Sequence, residues 1–579
     1  MTQIENWSAR WTRWMNRWYA RRSARARPAT GFVSQPEPRT IGSFAKGRQL
    51  SAGNFLFAGT LVVEPEKSIW QLPDIDSQFE EEIHGFTWLD DLAATADMAA
   101  RERAQSWTTE WIERFGRGHG AGWTPDLTGR RLVRWINHAI FLLNGQPRDM
   151  SLAYYSSLAQ QTIFLSKRWQ AASAGLPRFE ALTGLIYAGL ALTGMGGYVD
   201  PAIRALAREC REQIDAEGGI PTRNPEELLE VFTLLNWAAT ALAEAGKMAG
   251  PDHLQAIARI APTLRMLRHS DGGLARFHGG GRGAEGRLDH ALATSGVKSA
   301  TTDGLSMGYA RLHGGRTSVI MDAARPPVGV SSYNAHASTL AFELTSGRRP
   351  LIVNCGSGTC FGSEWFRAGR ATASHSTLAI DGFSSARLGR KGFIGGHERE
   401  LLGQAPTDVR VQYLVDEGSH GIVVGHDGYL PSHGLTHIRQ IELAANGRAI
   451  AGEDTLAAIE KSDERLFDKA QDRLHLQGIP FKIRFHLHPD VDADLDMGGT
   501  AISMALKSGE IWVLRHDGAA KLSLEPSVFL EKGRLKVRAT KQAVLSASAL
   551  EYATRIRWTL AKARETPDTV RDLVREENV

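Results

Sequence analysis

Cysteine is scarce in this chain: Cys210, Cys355 and Cys360 are the only three among 579 residues, and none belongs to a CxxC pair. That excludes a disulfide framework and leaves buried thiols as the expectation. Long apolar runs are missing too, none approaching the roughly 18–20 residues that cross a bilayer. The first thirty residues lack the apolar core of a secretory leader, so neither a cleavable signal peptide nor a transmembrane helix is expected. What is present is an ordinary balance of 42% hydrophobic, 8% aromatic and 23% charged positions, which excludes a disordered, collagenous or coiled-coil chain and fits two or three cores. The formal charge of +4 is unevenly placed. Residues 1–27 carry seven arginines against the single acid Glu5, which leaves the remaining residues at −2. The body is not basic. Nucleic-acid binding therefore rests on the tail alone, and no nucleic-acid partner is expected.

That tail has a pattern of its own. Trp7, Trp11, Trp14 and Trp18 fall on one helical face, with Arg10, Arg13, Arg17 and Arg21 between them. Tryptophan and arginine on one amphipathic helix suit a lipid headgroup region, so residues 1–27 are a candidate for peripheral membrane contact. The alternative is a tail that packs its tryptophans onto the body.

Residues 28–70 read as an irregular lead-in rich in Gly, Ser and Pro. From about 86 to 268 the apolar period is helical, in segments such as Leu132 to Leu143, Leu152 to Trp169, Phe179 to Leu192 and Leu228 to Ala245, each bounded by Gly or Pro. The stretch 271–316 is too glycine-rich for regular helix. Its Gly279-Gly-Gly-Arg-Gly283 run lacks the Lys-Ser/Thr ending of a phosphate-binding loop. Beyond it the period becomes two, most cleanly in Lys482-Ile-Arg-Phe-His-Leu-His488, as in a half-buried strand. Many such strands predict a large antiparallel sandwich. On its polar alternation, the pair His486 and His488 reads as a solvent face. The expected order is a tail (1–27), an α-helical domain with its lead-in (28–315), a β-sandwich domain (316–565) and a C-terminal tail (566–579).

Chemistry-bearing residues are densest between 333 and 382. Tyr333-Asn-Ala-His-Ala-Ser338 is followed by Arg348-Arg-Pro-Leu-Ile-Val-Asn-Cys-Gly356 and Arg370-Ala-Thr-Ala-Ser-His-Ser-Thr377. This order resembles the C-terminal domain of the heparinase II/III family of polysaccharide lyases. His84-Gly-Phe-Thr-Trp-Leu89, Trp135-Ile-Asn-His138, Gly218-Gly-Ile-Pro-Thr-Arg-Asn-Pro225 and Arg484-Phe-His-Leu-His-Pro489 extend the resemblance over residues 68–560. It implies an incomplete α/α toroid of helical hairpins followed by a large antiparallel β-sandwich, with a cleft between them for an acidic, uronate-containing polysaccharide. It also implies β-elimination. The proton beside a uronate carboxylate is a poor acid, so donors must neutralise the carboxylate before a base takes the C5 proton and an acid assists the leaving C4 oxygen.

Carried over by position, Asn137 and His138 match the toroid pair that neutralises the carboxylate; ordinary capping or core hydrogen bonding is the other reading of a helical Asn-His pair. Where the lyases keep a base tyrosine, after Asn224-Pro225, this chain has Glu226-Glu227-Leu228. Glu227 is a candidate base and equally a plain first-turn charge. His336 and His375 complete the candidate catalytic set. Arg223, Asn224, Tyr333, Asn334, Arg367 and Arg370 are candidate substrate contacts, the arginines because guanidinium grips carboxylate or sulfate in a fork. The family's divalent metal position is altered: Asn334, Ser338 and Asn354 stand where the resemblance implies a histidine and two aspartates. His336, Asn354 and His375 remain as a weak candidate set for a metal such as zinc; otherwise the two histidines hydrogen-bond within the cleft and contact ligand. No cofactor is otherwise implied. Two functions follow, a lyase acting on an acidic glycan, or a catalytically degenerate glycan-binding or envelope-maintenance protein on the same fold. The resemblance implies a cell-envelope location. The missing leader leaves cytoplasmic or membrane-peripheral placement open.

Overall fold

The structure, a computed structural model, describes residues 7–25, 29–34, 38–73, 75–298, 304–394, 397–416 and 418–563. The expected tail at 566–579 and the first six residues lie outside these. The helical part runs from Trp7–Ser23 through Met98–Phe115, Pro125–Asn137, Arg148–Arg168, Leu176–Ala191, Val199–Gln213 and Pro225–Glu244 to Pro251–Met266. Proline opens three of these helices, at 125, 225 and 251, where its missing N–H costs nothing. Asp97 caps Met98–Phe115 by accepting from the Ala100 N–H. The aromatic period that runs from Trp88 to Phe115 breaks once, at Ala96, which takes a left-handed φ of 54° and separates Trp88–Thr95 from the next helix.

Trp7–Ser23 lies on the body by the face opposite its indoles. Asn16, Ala20 and Ser23 are buried, whereas Trp7, Trp11, Trp14 and Trp18 are 76, 50, 52 and 41% exposed. Arg168 Nε donates to Asn16 Oδ1 at 2.8 Å, and Gln160 Nε2 donates to the Ala20 carbonyl at 3.0 Å. The tryptophans therefore do not pack onto the body. They stack along their own helix, Trp11 on Trp14 at 5.0 Å between ring centroids.

Two eight-stranded sheets follow. The first runs in the order 409–416, 419–429, 435–444, 449–457, 553–562, 511–516, 501–505 and 492–496; the second runs 521–529, 538–549, 479–487, 349–353, 342–346, 317–322 and 309–314, with 378–380 also paired to 479–487. All these pairings are antiparallel. Leu435–Ala444 alternates buried and half-buried side chains along its whole length, the period of a strand with one face on a core. Ile441, Phe485, Trp512 and Trp558 belong to that core. The sheet begins at Tyr309–Gly314, slightly ahead of the boundary expected at 316. Three details differ from the sequence expectation. Phe44–Ser51 is a helix and Asn54–Phe57 pairs with Thr60–Val63 inside the supposedly irregular lead-in. Arg287–Ser295 is a helix within the glycine-rich stretch, held between left-handed glycines at 286 and 296. His486 and His488 do not face solvent: both are buried.

The helical and sheet parts are tied by buried polar contacts. Arg311 Nη1 donates to the carbonyls of Arg265, Met266 and Arg268, closing the C-terminus of the last long helix. His269 pairs with Glu343 at 3.1 Å. Tyr309, Ile320 and Ala341 carry the helical core onto the sheet.

Candidate active site

The start of helix Pro225–Glu244 organises the junction. Arg223 precedes it with a left-handed φ of 51°, a strained setting for a non-glycine residue. Its guanidinium is saturated: the Met307, Gly308, Ala324 and Arg325 carbonyls and Asp322 Oδ1 take its donors, the last at 2.6 Å. A guanidinium has five N–H groups, and five acceptors hold this one. Arg223 is a rivet between the two parts, and it has no donor left for a substrate carboxylate. Asn224 is likewise committed, its Oδ1 capping the helix by accepting from the Glu226 and Glu227 N–H groups. Glu226 accepts from the Gly281 N–H at 2.9 Å and from Lys532 Nζ at 3.1 Å. The triple-glycine loop thus seats against the helix end. A Cβ on Gly280 would lie 2.4 Å from Asn224 Oδ1, and one on Gly279 would lie 3.1 Å from the Asn334 side chain.

Glu227 is free of these ties. Burial pushes its carboxyl up to about 7, with a smaller push from the charge of Glu180 and a counter-pull from the Thr222 hydroxyl. Glu180 is itself forked by Arg130, at 2.9 Å through both oxygens. Across the junction stands Tyr333, whose phenol is raised by burial first and then by the Glu227 charge, while Arg399 draws it down. The charges of Glu227, at the helix end, and of Arg399, on the sheet side, thus both act on the Tyr333 phenol.

Beside them runs a chain of neutral histidines. His375 Nδ1 lies 2.8 Å from the Ala371 carbonyl, so it carries the proton there. Its Nε2 then accepts from His336 Nδ1 at 3.0 Å. His336 Nε2 is left as a buried lone pair with no partner among the described residues. The His336 N–H donates to His278 Nδ1 at 3.1 Å, and His278 Nε2 lies 3.4 Å from Asp322 Oδ2, which also accepts from Ser338. Burial lowers all three histidines, His375 to about 4, so they are uncharged at neutral pH. Asp322 is held well below the usual carboxylate range by Arg223 and the His278 hydrogen bond, which together outweigh its burial.

This geometry corrects several expectations. His336 and His375 spend their facing nitrogens on each other, and Asn354 Oδ1 accepts from the Ser376 N–H at 3.0 Å. Among the described residues no group of three or more His, Cys, Asp or Glu is placed to hold a metal ion. Arg370 is buried, with its guanidinium on the Ala335, Glu400 and Ser332 carbonyls. It is a strut, not a substrate grip. Arg367 is 66% exposed at 3.8 Å from Glu400. His138 is engaged by Asp90 at 2.9 Å and by Thr40 at 3.2 Å, with Arg134 on the other oxygen of Asp90. Asn137 is buried and neither atom of its amide has a protein partner. Among the described residues no hydrogen bond joins Asn137 or His138 to the histidine chain; their helix borders Glu227 through the Arg130–Glu180 pair. Asn224, Glu227, Tyr333, Asn334, His336 and His375 do gather around the helix end and its glycine loop. His278, Asp322 and Arg399 belong with them and escaped the sequence reading. The signal available for His278 is its place directly before the Gly279-Gly-Gly281 run.

Comparison with known proteins agrees with the fold. The family described as Heparinase II/III-like, C-terminal, matches residues 297–559. FtsZ-localized protein C of Caulobacter vibrioides is 31% identical over 545 residues, 92% of this chain and 90% of that protein. Among solved structures, heparinase III superposes with a TM-score of 0.67 at 14% identity, covering 96% of this chain and 90% of the other. A mutant of the heparan sulfate lyase of Pedobacter heparinus gives 0.59 at 14% identity, covering 96% and 89%. At such identities the structural likeness establishes the fold alone, a helical toroid with a β-sandwich. The sequence relationship goes further, and this chain belongs to the heparinase II/III-like family.

Proposed function

We propose that the junction binds an acidic, uronate-containing glycan and cleaves it by β-elimination, with Glu227 accepting the C5 proton. The observation that carries this is the position of Glu227. Its carboxyl, raised to about 7, is the titratable group in the cleft best matched to proton transfer at neutral pH. It stands in the first turn of the element where the family resemblance implies the base, and its charge reaches the Tyr333 phenol. Arg399 is the cation assigned to the uronate carboxylate, since Arg223 has all five donors engaged and Arg370 is buried on three carbonyls. The orphan Nε2 of His336 adds an acceptor for a sugar hydroxyl. The test is incubation of the purified protein with a panel of uronate polymers. A lyase generates ultraviolet absorbance from the new C4–C5 double bond, and Glu227→Gln lowers that rate by about a hundredfold or more.

A second reading, glycan binding without cleavage, draws on a different observation: the histidines are neutral, and the inherited arginines are consumed internally. Silence on every uronate polymer, together with retained glycan binding, would favour it. For the address of the molecule we infer a membrane surface or the cell envelope, supported by the four exposed indoles interleaved with arginine on Trp7–Ser23. Among the described residues no helix is long and apolar enough to cross a membrane.

A further inference from the structure

The glycine-rich stretch from 268 to 286 and the helix Arg287–Ser295 cover a second cavity, of about 500 Å³, that shares no residue with the candidate active site. Its opposite wall is sheet: Arg348 and Arg349 at the start of one strand, His488 and Asp490 at the end of another, Lys507, and the turn leading into Arg538. Seven arginines and one lysine line it against five carboxylates. The carboxylates are mostly engaged already. Asp490 lies 2.9 Å from Arg538 and 3.7 Å from Lys507 and from His488; Glu531 is shared by Arg534 and Arg538 at 3.3 Å. Arg348 is exposed on the rim. Arg276 is 10% exposed, and its acidic neighbour Glu343 is 3.7 Å away. A concave wall with three more cations than anions concentrates anions. Buried His488 answers to the same field: burial first and Arg276 second lower it to about 4. Among the described residues no Phe, Tyr or Trp lines the space to offer a platform for a nucleobase or a sugar ring, and recognition falls to guanidinium forks.

We propose that this cavity binds a compact multivalent oxyanion, a phosphorylated or polycarboxylate small molecule, clasped between the helical and sheet parts. Pyrophosphate and citrate serve as probes of the two chemistries in isothermal titration of the full chain at low salt. Binding of either or both supports the site, the responsive probe identifies the chemistry, and affinity falls as salt is raised. The double variant Arg282→Glu/Arg348→Glu, whose altered side chains sit on the rim, should weaken binding at least tenfold, while Glu227→Gln leaves it unchanged. Circular dichroism and melting of the double variant verify that it is folded. The proposal is overturned if neither probe binds, or if a folded double variant binds as tightly as the parent. It is also overturned if a uronate oligosaccharide loses binding in both the double variant and Glu227→Gln, because the cavity would then be an arm of the glycan cleft.

Discussion

At the scale of single residues, the junction sets one free carboxyl among groups that are spoken for. Glu227 ionises in the folded protein near 7, above its ordinary value of 4.5. The folded state therefore binds a proton that the unfolded state releases, so this group destabilises the fold as pH rises from about 4.5 through 7. Glu227→Gln should accordingly raise stability above pH 7, by about 3 kcal/mol, and change nothing below pH 4; denaturant unfolding at the two pH values measures both. The same substitution removes the acid limb near pH 7 from any elimination rate. Arg223 behaves in the opposite way. Arg223→Met strips Asp322 of its strongest partner and leaves four carbonyls short of a donor. A loss of about 3–5 kcal/mol is expected, and Arg223→Lys recovers little of it, since one ammonium cannot reach five acceptors. The sequence offered the base role for Glu227 only beside that of a plain first-turn charge, and the structural role of Arg223 could not be read from it. The motif around Asn224-Pro225 marked the place, but whether an arginine there grips a ligand or a neighbouring strand is decided by distant chain, here residues 307–325.

At the scale of elements, the glycine loop and the helix it seats against form one unit. Gly280→Ala forces a methyl onto Asn224 Oδ1 and so displaces the helix cap, at a cost of about 1–2 kcal/mol. Gly197→Ala, in open space, should stay within about 0.5 kcal/mol of the parent; thermal melts of the pair make the comparison. Helix and strand periods were legible where one face meets a core, as in Leu228 to Ala245 or Lys482 to His488. They failed where packing overrides composition. Phe44–Ser51 includes Gly47, which lets the chain approach the Asp91 carbonyl so closely that a Cβ would lie 2.1 Å away; glycine read from sequence as irregularity is here the condition for contact. The alternation of His486 with Phe485 and Leu487 predicts a solvent-facing side chain, yet the sheet is covered on that side too, and its Nε2 lies 3.0 Å from the Ala373 carbonyl. Period two reports strand, and a sandwich buried on both faces removes its polarity information.

At the scale of the whole molecule, the toroid and sandwich share charges as well as surface. Arg223–Asp322, His269–Glu343, Glu226–Lys532 and the Arg311 carbonyl clasp all cross the junction. Calorimetry should therefore record one cooperative transition for the parent, and Arg223→Met should split it into two. The order of helical and sheet parts was readable from the change of period near residue 315, because that change reflects the local chain. The gathering of Glu227, Tyr333, Arg399 and His278 was not, because it joins four segments through tertiary packing. The N-terminal helix carries a last consequence. It is fastened to the body through Asn16 and Ala20 while its indoles face outward, so at the membrane surface proposed above it would act as a rigid footplate and not as a tether. A surface that takes up the four tryptophans fixes the heading of the entire protein, and every copy on that surface then points its cleft the same way.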